Sequence, residues 1–318
     1  MNGTKKLVRS RAKSFAPGTV SNVGPGFDLM GFPVFGIGDE VEVTPNGTGT
    51  SRIVSILGND ALSLAVESNT AGKAIISFLA DHAPGEGVDI TLYKNMPVGS
   101  GMGSSAASAV AGVVAVNGLL AKPLNHEELV EYAMAGEMIA SGSRHGDNVI
   151  PSLVGGFVII NDIDTLDFFR VEAPANLLVM LIHPHIEIKT SHARSILPGT
   201  IPVKDAIRQT SAALTLLAGI ITADYGKIAA ASKDFIAEPY RSGLIPGYAE
   251  AKNLLLSEGA VAFNISGSGP TMFALFNDSG RAEAAKTTLE NLYARIGLGV
   301  DISVSKVNNE GAKLQEVE

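Results

Sequence analysis

The chain of 318 residues contains no cysteine and no tryptophan. The first absence excludes disulfides, cysteine-ligated zinc and a thiol nucleophile, and it fits a reducing compartment. The second, with only 6% aromatic residues, leaves little from which to build a base-stacking platform. Positive charge is short as well. The 24 Lys and Arg are outnumbered by 32 Asp and Glu, and a formal charge of −8 argues against a nucleic-acid surface. Long apolar runs are missing too: the longest, 106–121 and 212–223, are too short to span a bilayer and are interrupted by Asn117 or by Thr215 and Thr222. The basic start MNGTKKLVRSRAKSF has no apolar core behind it and does not read as a signal peptide, so Asn46-Gly47-Thr48 carries no glycosylation meaning. These absences leave a compact chain of about two domains by length, expected in the cytoplasm, with no nucleic acid and no membrane as partner.

What the chain has is glycine in clusters. The run Pro97-Val98-Gly99-Ser100-Gly101-Met102-Gly103-Ser104-Ser105-Ala106-Ala107 follows an alternating strand pattern at 88–93 and precedes a small-residue, aliphatic stretch at 106–120. Glycines free of Cβ atoms let a backbone wrap closely around a ligand. The two serines stand where a helix N-cap is expected. Strand, glycine loop and capped helix together place free N–H groups and the positive end of a helix dipole before an anion, the usual way of holding phosphate. The run lacks the Lys of a Walker loop, and its third Gly comes too early for a dinucleotide fingerprint.

Two further glycine loops lie at 16–28 and 264–271, the first carrying Asn22 and Asp28 and the second Gly267 and Gly269. Each alone also reads as a turn with Asx caps or a glycine bulge. Glu137 stands near the end of a helical pattern among apolar neighbours, where a buried carboxylate needs a partner such as a divalent cation; an exposed helical Glu is the plainer alternative. His145-Gly146-Asp147-Asn148 gathers polar side chains just before a strand. Arg194, with Thr190 and His192, and Arg241 are isolated arginines in segments short of charge. They suit a small carboxylate, with surface solvation as the alternative. The spacing of His82, His183 and His185 matches no zinc site, and these read as structural.

The expected elements are strands at 8–15, 40–44, 88–93 and 155–160, with a loop over 16–38 and helices at 69–82, 106–120 and 125–139, the last capped by Asn125. Acidic, weakly structured 161–167 is the expected domain boundary. Beyond it the order strand, helix, strand, strand, helix, strand predicts a ferredoxin-like unit, and the charged tail after 308 reads as frayed.

The three glycine loops, in this order, resemble motifs one, two and three of the GHMP kinase superfamily over residues 14–304. Ser-Asn-Val-Gly-Pro-Gly-Phe-Asp at 21–28, His-Gly-Asp-Asn-Val at 145–149, Thr-x-x-x-Arg at 190–194 and Arg-x-x-Leu-Ile-Pro-Gly at 241–247 are similar to its homoserine kinase branch in particular. The resemblance implies an α+β, two-domain GHMP kinase fold. It would have an N-terminal ATP-binding α/β domain with the nucleotide loop over 1–161 and a ferredoxin-like C-terminal domain over 162–318. It implies phosphorylation of L-homoserine by ATP to O-phospho-L-homoserine, on the route to threonine. Residues 97–107 would hold the triphosphate, and Ser105 and Glu137 would hold Mg²⁺. Asn22, Asp28 and Asp147 would contact the substrate amino and hydroxyl groups, Arg194 and Arg241 its carboxylate, and Gly267 with Gly269 would close over it. Glu137, Asp147 and Asn148 make up the implied catalytic set, with Asp147 binding or orienting rather than acting as a base. Met102 stands where many relatives carry Leu, and His145-Gly146 where Ala or Gly variants are common. A mevalonate-type kinase and a non-catalytic ligand sensor are the alternatives. The acidic cluster argues against an amine-free anion, and intact Ser105 and Glu137 favour an enzyme. The oligomeric state is left open, a homodimer included.

Overall fold

The structure is a computed structural model describing residues 6–318. Its elements, in chain order, begin with β1 (Ala12–Ser21), β2 (Met30–Pro45), β3 (Arg52–Leu57), α1 (Thr70–His82), β4 (Val88–Tyr93), α2 (Ser104–Gly118), α3 (His126–Ser141) and α4 (Val149–Val154). There follow β5 (Phe157–Asp162), β6 (Asp167–Val171), β7 (Leu178–Pro184), α5 (Thr190–Ser195), α6 (Val203–Thr222), α7 (Tyr225–Ala231), α8 (Glu238–Arg241) and α9 (Tyr248–Ser257). The last are β8 (Ala262–Ile265), β9 (Met272–Phe276), α10 (Ser279–Ile296), β10 (Val300–Lys306) and β11 (Lys313–Val317).

The first sheet runs β11-β1-β2-β4-β3, with β5 paired to the first residues of β2 and β6 paired to β5. Against it packs α2, whose residues are apolar on every side and which buries all of them except Ser105. A helix without a polar face belongs inside, and α1 and α3 complete its enclosure. The helix ends are set locally. Asn69 accepts from the backbone N–H groups of Ala71 and Gly72, and the expected Asn125 cap of α3 is completed by Glu128 into a capping box.

The second sheet runs β10-β7-β9-β8, all antiparallel, with α9 and α10 packed on it. Numbered along this half of the chain, that is strand order 4-1-3-2, the ferredoxin-like arrangement. The protein is therefore an α+β protein of two sheets. Among the described residues no helix is long and apolar enough to cross a membrane.

Four local expectations are corrected. Residues 16–38 are mostly strand: β1 runs on through Pro17 and Gly18, with a register shift between Pro17 and Thr19, and only 22–29 forms a turn. A proline without an N–H can sit in a strand where the ladder is broken by a bulge. Ser104 and Ser105 are the first helical residues of α2, and the cap is Gly103 at φ +65°. Residues 161–167 belong to the β5–β6 hairpin, with 163–166 as its turn, so this part of the first sheet runs past residue 161 to Val171. The tail is not frayed: Lys313–Val317 pairs antiparallel with β1, and Asn308 donates its backbone N–H to the Pro33 carbonyl at 2.8 Å. Short strands β3 and β6 and helices α4, α5 and α7 were not expected, because segments this short carry little periodicity.

Candidate active site

The three glycine loops converge between the two sheets. Gly267 N donates to the Ser21 carbonyl at 3.1 Å, Thr271 N to the Ser100 carbonyl at 3.1 Å and Ser266 Oγ to the Gly101 carbonyl at 2.7 Å. The contact leaves no room for side chains. A Cβ on Gly101, where φ is +79°, would lie 2.7 Å from the Ser266 carbonyl oxygen. A Cβ on Gly103 would lie 2.2 Å from Thr19 Oγ1 and 2.7 Å from Asn148 Oδ1. Below the junction opens a cavity of about 500 Å³ whose walls include Asn22, Asp28, Ser105, Glu137, Asp147, Asn148, Arg194, Arg241 and Gly267. With the exception of Gly269, which is not in its wall, the candidates outside the glycine loop meet in this one cavity, and Ser105 joins them from the end of the loop.

Ser105 Oγ donates to Glu137 Oε1 at 3.0 Å, joining the first turn of α2 to α3. Glu137 Oε2 is buried with no hydrogen-bond partner. Burial pushes the Glu137 carboxyl up to about 7; the Ser105 hydrogen bond and the Lys94 charge pull down, and Asp147 pushes further up. Asp147 is itself buried, and burial with the nearby Asp28 charge drives it up to about 7 as well. Asn148 Oδ1 accepts from Thr19 Oγ1 at 2.7 Å, at the head of α4.

The amide of Asn22 lines the cavity and also makes two bonds to the protein. Its Oδ1 accepts from Asp28 N at 3.0 Å and its Nδ2 donates to the Gly267 carbonyl at 2.8 Å, which ties the first loop to the third. This turn holds Asn22, Val23 and Asp28 at positive φ, a strained backbone of the kind that gathers at ligand sites. Arg194, on α5, donates Nη2 to both Asp28 oxygens at 3.0 and 3.1 Å. Arg241 is buried; its Nε and Nη1 reach the Ala193 and Gly267 carbonyls at 3.0 and 2.9 Å. The Phe27 ring has both guanidinium groups nearby, its centroid 5.9 Å from that of Arg194 and 5.4 Å from that of Arg241. His145 bonds Ser143 Oγ at 2.7 Å, with its Nδ1 4.0 Å from Asp28; burial lowers its pKa against the pull of Asp28.

Sequence reasoning passed over Leu62, Ser63 and Asn69, which also line the cavity, and the buried pair Asp39 and Lys94. A lone Lys between buried Leu92 and Met96, three residues before the glycine run, was the available signal for the latter. Among the described residues no group of three or more His, Cys, Asp or Glu side chains could hold a metal. A Mg²⁺ site made from one carboxylate and one hydroxyl, completed by water and phosphate oxygens, needs no such group. The orphaned Glu137 oxygen beside Ser105 fits that donor set.

Two halves, each with its own sheet, that bring three glycine loops together over one cavity define a class of small-molecule kinases. Residues 69–156 match the GHMP kinases N terminal domain and residues 216–295 the GHMP kinases C terminal, and the chain belongs to the GHMP kinase family. Within it, the protein groups with the homoserine kinases. It is 40% identical over 313 residues to the homoserine kinase of Chlorobaculum tepidum, covering 94% of this chain and 97% of that one. The homoserine kinase of Chlorobium phaeovibrioides is also 40% identical, over 315 residues, at 95% and 98% coverage. The crystal structure of homoserine kinase from Cytophaga hutchinsonii superimposes with a TM-score of 0.93 at 42% identity, covering 96% of this chain and 98% of that one. As a kinase of this family the protein uses ATP.

Proposed function

We propose that this chain transfers the terminal phosphoryl group of ATP to the side-chain hydroxyl of L-homoserine, releasing ADP and O-phospho-L-homoserine. One observation carries the choice of acceptor: the Asp28–Arg194 ion pair on the cavity wall, at 3.0 and 3.1 Å and partly open to solvent. An amino acid offers such a pair one ammonium and one carboxylate and can replace both halves. A hydroxy acid without an amine satisfies Arg194 and strands Asp28. The names of the relatives at 40% identity support the same acceptor.

In this reading Arg194 and the remaining face of Arg241 bind the carboxylate, and Asp28 binds the ammonium. Asp147 orients the hydroxyl, whose oxygen forms a bond to phosphorus as the bond to the bridging oxygen of ADP breaks and the hydroxyl proton passes to solvent water. Residues 97–107 accept the phosphates through backbone N–H groups at the start of α2. Ser105 and Glu137 would hold Mg²⁺, which when bound supplies positive charge against the phosphate oxygens. Asn148 keeps Thr19 and the glycine loop in register through its contact at 2.7 Å. Phosphoryl transfer asks for positioning and charge neutralisation more than for a strong base, so none is assigned.

A coupled ADP-release assay with homoserine, mevalonate, galactose and shikimate tests the acceptor. Release with homoserine alone is expected. Faster turnover of mevalonate would overturn the substrate, and binding of homoserine and ATP without release of ADP would make the protein a sensor.

A further inference from the structure

Beneath the glycine loop lies a charged pair that the reaction as described does not use. Asp39, on β2, and Lys94, just after β4, are both buried. The Lys94 ammonium has three N–H donors, and all are taken: by Asp39 Oδ2, by the Ser104 carbonyl at 2.7 Å and by Ser108 Oγ at 2.9 Å. Lys94 therefore reaches the cavity wall with nothing left to offer a ligand. Ser108 in turn donates to Asp39 Oδ2 at 2.7 Å. The other oxygen, Asp39 Oδ1, accepts from Asn95 N at 3.0 Å and Met96 N at 3.2 Å.

These contacts sit at the two ends of one loop. Asn95 and Met96 lead into it; Ser104 and Ser108 form the first turns of the helix that leaves it. Between them Gly99, Gly101 and Gly103 take φ of +69°, +79° and +65°. A stretch so rich in glycine has much conformational freedom to lose; Thr271 N and Ser266 Oγ hold the Ser100 and Gly101 carbonyls in its middle, and its two ends need holding as well. A buried ion pair contributes little net stability compared with apolar residues of the same volume. Clamping both ends of a flexible loop gives this pair another role.

We propose that Asp39 and Lys94 are positioning residues: together they hold the glycine loop in its phosphate-accepting shape before nucleotide arrives. The inference rests on the assignment of 97–107 as the nucleotide loop. It predicts that loosening the pair weakens the nucleotide and leaves the amino acid alone, because the Asp28, Arg194 and Arg241 side of the cavity makes no hydrogen bond to it.

The test replaces the pair together, Asp39→Asn with Lys94→Met, so that no lone charge is left buried. ATP binding is measured by calorimetry without homoserine, and homoserine KM at saturating ATP. ATP affinity is expected to fall about tenfold or more, the cost of ordering the loop on binding, with homoserine KM within about twofold and faster amide hydrogen exchange over 95–104. A folded pair variant that binds ATP within twofold of the parent overturns the proposal, as does an equal loss for both substrates. Should the pair variant fail to fold, Ser108→Ala removes one hydrogen bond from each partner and is expected to weaken ATP about threefold; unchanged ATP binding would be equally decisive against it. Gly101→Ala separates the two levels. If it abolishes ATP binding while the pair variant does not disturb it, the nucleotide loop stands and the clamp falls; if neither matters, the loop assignment itself is lost.

Discussion

Glu137 and Asp147 are two acids of one cavity that both hold their protons to about pH 7, chiefly because they are buried. A folded-state pKa above the unfolded value means that the folded chain binds more protons than the unfolded one between about pH 4 and 7. The stability this contributes is full at low pH and is lost as pH rises through 7. His126, His145 and His183, lowered by burial, act in the opposite sense, so the useful comparison is between the parent and Glu137→Gln. That variant is expected to lose turnover by about a hundredfold or more, yet to melt higher than the parent at pH 8 by a margin that shrinks at pH 5. Turnover within about threefold of the parent at saturating Mg²⁺ would remove Glu137 from the metal site, and a melting difference independent of pH would remove its buried charge from the account. Arg194→Ala tests the zwitterion pair. One charge-assisted contact of about 1.5–3 kcal/mol corresponds to about ten- to a hundredfold in homoserine KM, with the KM for ATP unchanged. An amino alcohol lacking the carboxylate serves as control: if the variant penalises it as heavily as homoserine, Arg194 does not read the carboxylate. Arg241 is the less clean probe, since its Nη1 also carries the Gly267 carbonyl.

At the scale of elements, the glycine loop is shaped by its neighbours as much as by its future ligand. The space a Gly101 side chain would need is filled by the Ser266 and Gly269 carbonyls at 2.7 and 2.8 Å, both backbone atoms that cannot rotate away. Gly101→Ala, and more so Gly101→Val, is expected to part the second loop from the third and to reduce ATP affinity by tenfold or more at an unchanged fold. Ordinary affinity in a folded variant, measured by calorimetry, would make the loop a structural turn. What the sequence made legible here was local. The alternation at 88–93 and the Asn125 cap of α3 are each decided by neighbours in the chain, and the structure has them as expected; the glycine run does lead into a helix, capped by Gly103 and not by the serines. Long-range pairings were hidden. Nothing around Asp39 marks it as the partner of a lysine 55 residues on. The apparent loop at 16–38 is strand because Gly18 and Gly38 are small for packing, against Met96 and the Ala16 carbonyl, and not for turning. That the Asn22 amide also ties Asp28 to Gly267, besides lining the cavity, is another long-range relation the sequence does not show.

At the scale of the whole molecule, the chain crosses between its two sheets twice, after β6 and again after β10, and the second crossing delivers β11 to the open edge of β1. The charged letters of that tail hid a strand because its residues are exposed and carry no apolar face. Its anchor lies just upstream: Asn308 is buried and accepts from the backbone N–H groups of Glu310 and Gly311 at 2.8 and 3.0 Å. Removing residues 313–318 would expose the edge of β1 and strip Leu314 from beside Gly118 of α2. The shortened protein is expected to melt lower by about 5 °C or more and to self-associate through the bared edge. An unchanged melting temperature in light scattering and calorimetry would mean that β11 is ornamental.

That returning strand also fixes an order of events during synthesis. The sheet that carries the glycine loop is begun by residue 12 and finished by residue 317, with the entire ferredoxin-like unit translated in between. The nascent first sheet therefore keeps the edge of β1 open until the whole ferredoxin-like unit has been made, and residues 313–317 close it last.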